Sequence, residues 1–310
     1  MKNIAFVSVV LFSICIQSVS ALEAGFISGM EEFKPDSYLV VADKKGDEDG
    51  YRVGILKTKN GSKLEFSPLK ITDWKHSDGQ ASDLESACRV PGKSNEFLLA
   101  ESGYWERKYG RIFHIEINTN GALVKNVFHI PGSKDGVDGD NFEGMVCIEK
   151  DDSIFVILGE RGESSSYKNG YLRIGILDYS NSQLSWSKYS NNPVEIVAPG
   201  HWNNPQSKRS ISDLYLDKQG VIWAVATEDA ENDEGPFRSI IYKAALVSSS
   251  KPGTFPVVAI NPTKAQWVID GFKIEALAGP STTVPNSYMS IGSEDESYGG
   301  VWRPLFSPIE

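Results

Sequence analysis

The chain has few of the residues that build thiol, imidazole or nucleotide-binding sites. Only three cysteines and four histidines occur among 310 residues, and none has the spacing of a zinc site. The Gly-x-Ser-x-Gly turn of serine hydrolases is absent, as is a Gly-rich loop that could cradle a nucleotide phosphate. No stretch of useful length has helical periodicity, and no apolar run is long enough to cross a bilayer. These absences point away from helical, zinc-dependent and nucleotide-binding proteins.

The longest apolar run lies at the amino terminus and is typical of a secretion signal. A short positive segment at residues 1–3 precedes an apolar segment at residues 4–16, and small residues at 19–21 form a cleavage site. We therefore expect a signal peptide at residues 1–21, cleaved near Ala21, and one domain at residues 22–310. The mature protein is expected to be secreted or periplasmic.

The charge of the chain limits its partners. The formal net charge is −10, and removal of Lys2 with the leader makes the mature chain more acidic still. Such a protein is a poor candidate for nucleic acid or anionic membranes and suits cations better. Cys88 and Cys147 remain after processing. They could form a disulfide in an exported protein, or they could be buried reduced thiols.

A short pattern recurs five times, about every 60 residues. In each copy an apolar residue is followed by Glu or Ser and then by a small or polar residue. The five copies are Ile27-Ser28-Gly29, Leu84-Glu85-Ser86, Phe142-Glu143-Gly144, Ile211-Ser212-Asp213 and Ile274-Glu275-Ala276.

Each copy opens a run of strand patterns. A second apolar strand that ends in acid follows it, then a Gly-bearing loop, a third strand and, in most repeats, a weaker fourth strand. The clearest pair spans residues 142–149 and 153–160, joined by the polar turn at 150–152. Recurring sets of four short strands predict an all-β, five-bladed β-propeller with four-stranded antiparallel blades. A sixth blade near residues 186–206 is possible, and the alternative is a β-sandwich with coincidental spacing.

The last repeat has no fourth strand before the chain stops. We expect residues 22–25 to supply it and so to close the ring.

The propeller topology gathers acids at one end of the central channel. First strands line the channel, and the loops that enter first strands and leave second strands share one face. Glu85, Glu143 and Glu275 should therefore crowd together there, with Asp213 and Glu160 beside them. Each pair of charges at roughly 5 Å costs about 3 kcal/mol, so either protons or a cation must compensate. The oxygen-only set suits calcium, and the alternative is that the glutamates cap strand amides and bind water.

Basic residues stand in the same loops. Arg161 directly follows Glu160, and Lys44 follows Asp43. A cation flanked by Arg161 and Lys44 could hold an anionic group such as a phosphate ester. Arg161 and Glu160 are therefore the predicted catalytic residues, and Glu85, Glu143, Glu275 and Asp213 are the predicted metal ligands.

The set of motifs resembles the exported β-propellers called phytase-like, or "esterase-like activity of phytase". The matching residues, in the order of that family, are Ser28-Gly29, Asp83-Leu84-Glu85-Ser86, Asn141-Phe142-Glu143-Gly144, Ser212-Asp213-Leu214 and Lys273-Ile274-Glu275-Ala276. Ser86 and Ala276 depart from the pattern, because glycine is usual there. The resemblance implies a calcium-type acidic centre at Glu85, Glu143 and Glu275, and phosphoesterase activity.

The sequence thus favours a monomeric, exported propeller that hydrolyses a phosphate or other ester with the help of a metal. The alternative is a non-enzymatic propeller that binds glycan, peptide or protein through Tyr104, Trp105 and Trp202, with structural calcium. A lactonase is a third option, although the inner positions carry no Asn ligand beyond Asn141.

Overall fold

A computed structural model describes most of the chain. The described residues are 27–46, 48–59, 63–71, 73–74, 79–103, 110–131, 140–164, 168–186, 193–229, 235–248, 256–293 and 299–308. The predicted leader, the proposed closing segment at 22–25, and Tyr104 and Trp105 lie outside them. Among the residues that the structure describes, no helix has the length and apolar character needed to cross a membrane.

The described residues form twenty-one strands and a 3₁₀ turn at Pro205–Ser207. The strands are β1 (Gly29–Lys34), β2 (Ser37–Val41), β3 (Val53–Lys59), β4 (Lys63–Pro68), β5 (Leu84–Arg89), β6 (Glu96–Glu101), β7 (Arg111–Asn118), β8 (Gly121–His129), β9 (Phe142–Lys150), β10 (Ser153–Glu160), β11 (Gly170–Asp178), β12 (Gln183–Trp186), β13 (Val194–Ile196), β14 (Lys208–Leu216), β15 (Val221–Glu228), β16 (Arg238–Val247), β17 (Val257–Ala259), β18 (Ala265–Asp270), β19 (Ile274–Ala278), β20 (Ser287–Ser293) and β21 (Val301–Phe306).

The strands form five antiparallel meanders, which are the blades of a β-propeller. Blade 1 is β1–β4, blade 2 is β5–β8, blade 3 is β9–β13, blade 4 is β14–β18 and blade 5 is β19–β21. Blades 2 and 3 also touch at their outer edges through one parallel pair, His129 with Gln183. The all-β, five-bladed prediction is confirmed.

The first strands make a closed ring. β1 contacts β5, β5 contacts β9, β9 contacts β14, β14 contacts β19, and β19 returns to β1. Five buried apolar clusters fill the five spaces between neighbouring blades. Because each blade is apolar on both faces, the ring buries every blade against two others.

Blades 1 and 5 are also joined by polar contacts. Asp36, in the β1–β2 turn, accepts hydrogen bonds from Ser281 Oγ at 2.5 Å and from the amides of Thr282 and Thr283 at 3.0 and 3.2 Å. Tyr38 Oη lies 3.0 Å from Ser290 Oγ. The ring is therefore closed within the described residues, whatever residues 22–25 add.

The region around residues 186–206 contains no further blade in its described part. It contains β13, which pairs with β11 of blade 3, and the 3₁₀ turn. Blade 4 has a similar division, because β17 and β18 pair with different ends of β16. The outer strand of each of these blades is thus two short pieces, which the sequence analysis did not predict.

Two of the three cysteines of the chain are bonded to each other. Cys88 in β5 and Cys147 in β9 form a disulfide with a Cα–Cα distance of 5.8 Å. Of the two possibilities left open by the sequence, the structure has the disulfide. It links the first strands of blades 2 and 3.

Candidate functional site at the channel mouth

The three glutamates of the repeat occupy the same structural position. Each is the extra residue of a β-bulge at the start of its first strand. Leu84 pairs with Glu101 and Ser86 with Ala100, so the register between the strands skips Glu85. The register skips Glu143 and Glu275 in the same way in β9 and β19. A bulge turns a side chain out of the normal alternation, which explains why an acid recurs at this position in an apolar strand.

Glycine at the third position of the repeat lets neighbouring blades approach closely. A Cβ atom on Gly144 would lie 2.7 Å from the backbone nitrogen of Leu214 in β14. A Cβ atom on Gly29 would lie 2.7 Å from the Cα of Ser86 in β5. Ser86 and Ala276, where the phytase-like pattern has glycine, leave the bulge in place.

The acids that end the second strands mostly hold the backbone. Glu101 accepts hydrogen bonds from the amides of Ser82 and Arg111 at 2.8 and 2.9 Å and pairs with the Arg111 guanidinium at 2.5 Å. Burial raises the pKa of Glu101, although Arg111 opposes the shift. Glu228 accepts the amides of Asn203 and Asn204. These two carboxylates fix the loops around the mouth.

The side of the mouth formed by blades 1 and 2 holds a compact acidic group. Carboxylate oxygens of Asp43, Asp83 and Glu85 all lie within 4.8 Å of one another. The Lys45 ammonium contacts Asp83 and lies 3.4 Å from Asp43. Burial alone would lower the pKa of Lys45, but the three acids, led by Asp83, raise it overall. Of the predicted metal ligands, only Glu85 belongs to this group.

The side formed by blades 3 to 5 holds a chain of ion pairs. Glu143 lies 3.3 Å from Arg161, and Arg161 lies 3.8 Å from Glu163. Arg209 continues the chain to Glu163, Asp229 and Glu275. Lys273 then contacts Asp229 at 3.5 Å and Glu275 at 3.1 Å. Glu143 and Glu275 therefore belong to one chain of ion pairs, Glu143 through Arg161 and Glu275 through Arg209 and Lys273.

Glu160 lies beneath this chain and differs from its neighbours. Burial raises its pKa to about 8, and the charges of Asp140 and Glu143 add to that effect, while the Gly162 amide and Arg161 oppose it. Its Oε2 accepts the Gly162 amide at 2.9 Å, and its Oε1 has no hydrogen-bond partner among the described residues. Burial therefore favours the protonated form of Glu160 at neutral pH.

Asp213 differs from the other predicted ligands in its hydrogen bonding. Its Oδ2 accepts the Leu277 amide of β19 at 2.6 Å, which joins blades 4 and 5. Burial raises its pKa well above the ordinary value, and Glu31 and Glu275 raise it further.

Lys44 points to Glu48 at 3.9 Å, and Trp202 packs in the core between blades 3 and 4.

The sequence places Lys45, Arg209 and Asp229 in the loops around the mouth, but it does not single them out as catalytic or metal-binding residues. Lys273 and Glu163 were not predicted as site residues either. Their position in the sequence could have identified two of these cations, because Lys45 follows Asp43 by two residues and Lys273 precedes Glu275 by two.

Fold and site together define a five-bladed β-propeller with a densely charged channel mouth. No family model and no curated protein match the chain. Similar solved structures include an exo-1,5-α-L-arabinanase from a bovine ruminal metagenomic library, with 8% identity, TM-score 0.49, and coverage of 91% of this chain and 94% of that one.

Two further structures show the same degree of similarity. A GH43 endo-arabinanase from Bacillus licheniformis has 11% identity, TM-score 0.46, and coverage of 94% and 95%. A putative oxidoreductase (glucose dehydrogenase) from Thermus thermophilus has 10% identity, TM-score 0.43, and coverage of 93% and 99%. The activities named for them differ, and at this similarity none carries over to the chain.

Proposed function

We propose that this propeller is a hydrolase that cleaves a phosphate or other ester at its channel mouth, with calcium as cofactor. The observation that supports it is that Glu160, a buried carboxyl whose pKa is raised to about 8, lies directly beside the ion pair of Glu143 and Arg161 in a single site. Hydrolytic sites need such a division between a proton donor and charged groups. The phytase-like resemblance suggests the substrate class.

The charge of the mouth argues for a cation. In the compact acidic group and the chain of ion pairs together, seven carboxylates face four cationic side chains. The carboxylates are Asp43, Asp83, Glu85, Glu143, Glu163, Asp229 and Glu275, and the cations are Lys45, Arg161, Arg209 and Lys273. An anionic ester would be repelled from this site unless positive charge were added.

Asp43, Asp83 and Glu85 are the residues that fit calcium. Their oxygens lie within 4.8 Å of one another, and calcium holds oxygens at about 2.3–2.6 Å, so one ion can reach all three. The ammonium of Lys45 now satisfies part of this charge, and its side chain is about one-third exposed, which leaves it room to move. Bound there, calcium would polarise the ester or lower the pKa of a water.

Glu160 and Arg161 supply the remaining functions. Glu160 would give its proton to the leaving oxygen, because it is held neutral and its Oε1 has no partner among the described residues. Arg161, with about one-fifth of its side chain exposed, would orient the anionic group through its guanidinium. Glu143, 3.3 Å away, holds that guanidinium in place.

The alternative is a binding propeller with structural calcium. One of its three proposed recognition residues, Trp202, is buried in the core between blades 3 and 4, and the other two lie outside the described residues. The described part of the mouth is charged rather than aromatic, which favours the hydrolase.

Turnover of phosphate esters by purified protein tests the proposal. We expect calcium-dependent hydrolysis from a panel of phosphate and carboxylate esters, abolished by chelation and restored by calcium. Glu143→Gln should lose at least about tenfold in kcat/KM while remaining folded, because it removes a charged hydrogen bond from Arg161. Loss of calcium affinity or stability alone, without any turnover in the wild type, would favour the binding propeller.

A further inference from the structure

The ion pairs on the blade 3–5 side converge on Arg209. Its Nε lies 3.4 Å from Glu163, its Nη2 3.0 Å from Asp229 and its Nη1 3.5 Å from Glu275. These three carboxylates come from blades 3, 4 and 5. The Arg209 side chain is only 12% exposed, so water screens these contacts weakly.

Arg209 keeps its charge in this buried position. Burial alone would lower its pKa, but the surrounding carboxylates, led by Glu143 and Glu275, raise it overall. The residue is therefore a permanent cation in the middle of the network.

Arg209 shares one carboxylate with Arg161. Glu163 Oε2 lies 3.4 Å from Arg209 Nε and 3.8 Å from Arg161 Nη2. Glu163 has a φ of 69°, a backbone conformation unusual outside glycine, so its own position is held by its surroundings. Arg161 thus has two carboxylates within reach, Glu143 at 3.3 Å and Glu163.

The backbone of Arg161 is also fixed by hydrogen bonds, so a change of ion-pair partner involves its side chain alone. Its amide donates to the Asn141 carbonyl at 3.0 Å, and its carbonyl accepts the Ser210 amide, next to Arg209, at 2.7 Å. Which carboxylate the guanidinium faces depends on how strongly each is already neutralised.

We propose that Arg209 is a positioning residue that acts through Glu163: by neutralising that carboxylate, it leaves Arg161 directed toward Glu143 and the mouth. Among the described contacts, Arg209 forms a direct ion pair with Glu163 but not with Glu143, so its loss would strengthen chiefly the attraction of Glu163 for the Arg161 guanidinium. The consequence for turnover rests on the proposed function, in which Arg161 orients the anionic group.

Four variants test this role: Arg209→Met, Arg209→Lys, Arg209→Met combined with Glu163→Gln, and Arg238→Met as control. Arg238, in the third strand of blade 4, forms an ion pair with Asp270 of the outer strand at 2.6 Å and lies two strands away from β14, which carries Arg209. With p-nitrophenyl phosphate and calcium, Arg209→Met should raise KM about tenfold, the size of a lost charged contact, with a smaller change in kcat.

The double variant separates positioning from a merely structural role. Removing the charge of Glu163 removes its attraction for Arg161, so the KM of the double variant should return most of the way to the wild-type value. The KM of Arg209→Lys should lie between those of the wild type and Arg209→Met. Arg238→Met should match the wild type. A double variant as impaired as Arg209→Met would overturn the proposal.

Crystal structures decide the question if the wild type hydrolyses no ester. In Arg209→Met, or in Arg209→Lys if the former does not fold, Arg161 should leave Glu143 and pair with Glu163. An unchanged Arg161–Glu143 contact would overturn the positioning role. Absence of turnover with a displaced Arg161 would contradict only the proposed function.

Discussion

At the residue scale, burial and charge give similar carboxyl groups different roles. Glu101 and Glu228 accept hydrogen bonds from backbone amides. Glu143 forms an ion pair with Arg161, whereas burial favours the neutral form of Glu160. All four arise from the same two repeat positions. Residue type and spacing alone therefore do not assign a role; the neighbours of each carboxyl do.

The neutral state of Glu160 has a consequence for stability. Its pKa is about 8 in the folded protein against an ordinary 4.5, so the folded state binds the extra proton between these values. The stability contributed by this group is complete below pH 4.5 and is lost as pH rises through about 8. Glu160→Gln should flatten that loss, measured as Tm against pH. Glu31→Gln is the control. Burial raises the pKa of Glu31 to about 7, so the stability that Glu31 contributes is lost at a lower pH than the stability contributed by Glu160. An unchanged slope in Glu160→Gln would contradict the assignment.

At the element scale, the sequence predicts where strands occur better than it predicts which outer strands are split into two short pieces. The pair β9–β10 and its turn at Asp151 and Asp152, both with positive φ, follow from alternation and turn chemistry. The outer pieces β13 and β18 were missed because short edge strands carry little pattern of their own. The bulges at Glu85, Glu143 and Glu275 were missed too, since a bulge shows only in the register between strands.

The disulfide gives a test at this scale. It joins β5 and β9, which carry Glu85 and Glu143, and closes a loop over a sequence separation of 59. Replacing both Cys88 and Cys147 by alanine should lower the free energy of unfolding by about 4 kcal/mol, the chain-entropy value for a loop of this length. Denaturant unfolding with and without reductant measures it. Reductant should shift the wild type toward the variant and leave the variant unchanged; equal stability of both proteins in oxidising buffer would refute the expectation.

At the scale of the whole molecule, ring closure brings together acids that are far apart in sequence. The five copies of the short repeat, three of which carry Glu85, Glu143 and Glu275, were enough to predict five blades and a shared face, because propeller topology follows from the count of repeats. The division of the mouth into a compact acidic group and an ion-pair network was not predictable. It depends on how far Lys45, Arg161 and Arg209 reach between blades, which is a property of side-chain packing in three dimensions.

The central claim is that this mouth binds a cation at Asp43, Asp83 and Glu85. An anomalous difference map from crystals grown with saturating calcium tests it most directly. We predict a peak in contact with all three carboxylates, with the Lys45 ammonium displaced from Asp83. A map without a peak there, in which Lys45 still contacts Asp83, would contradict the account.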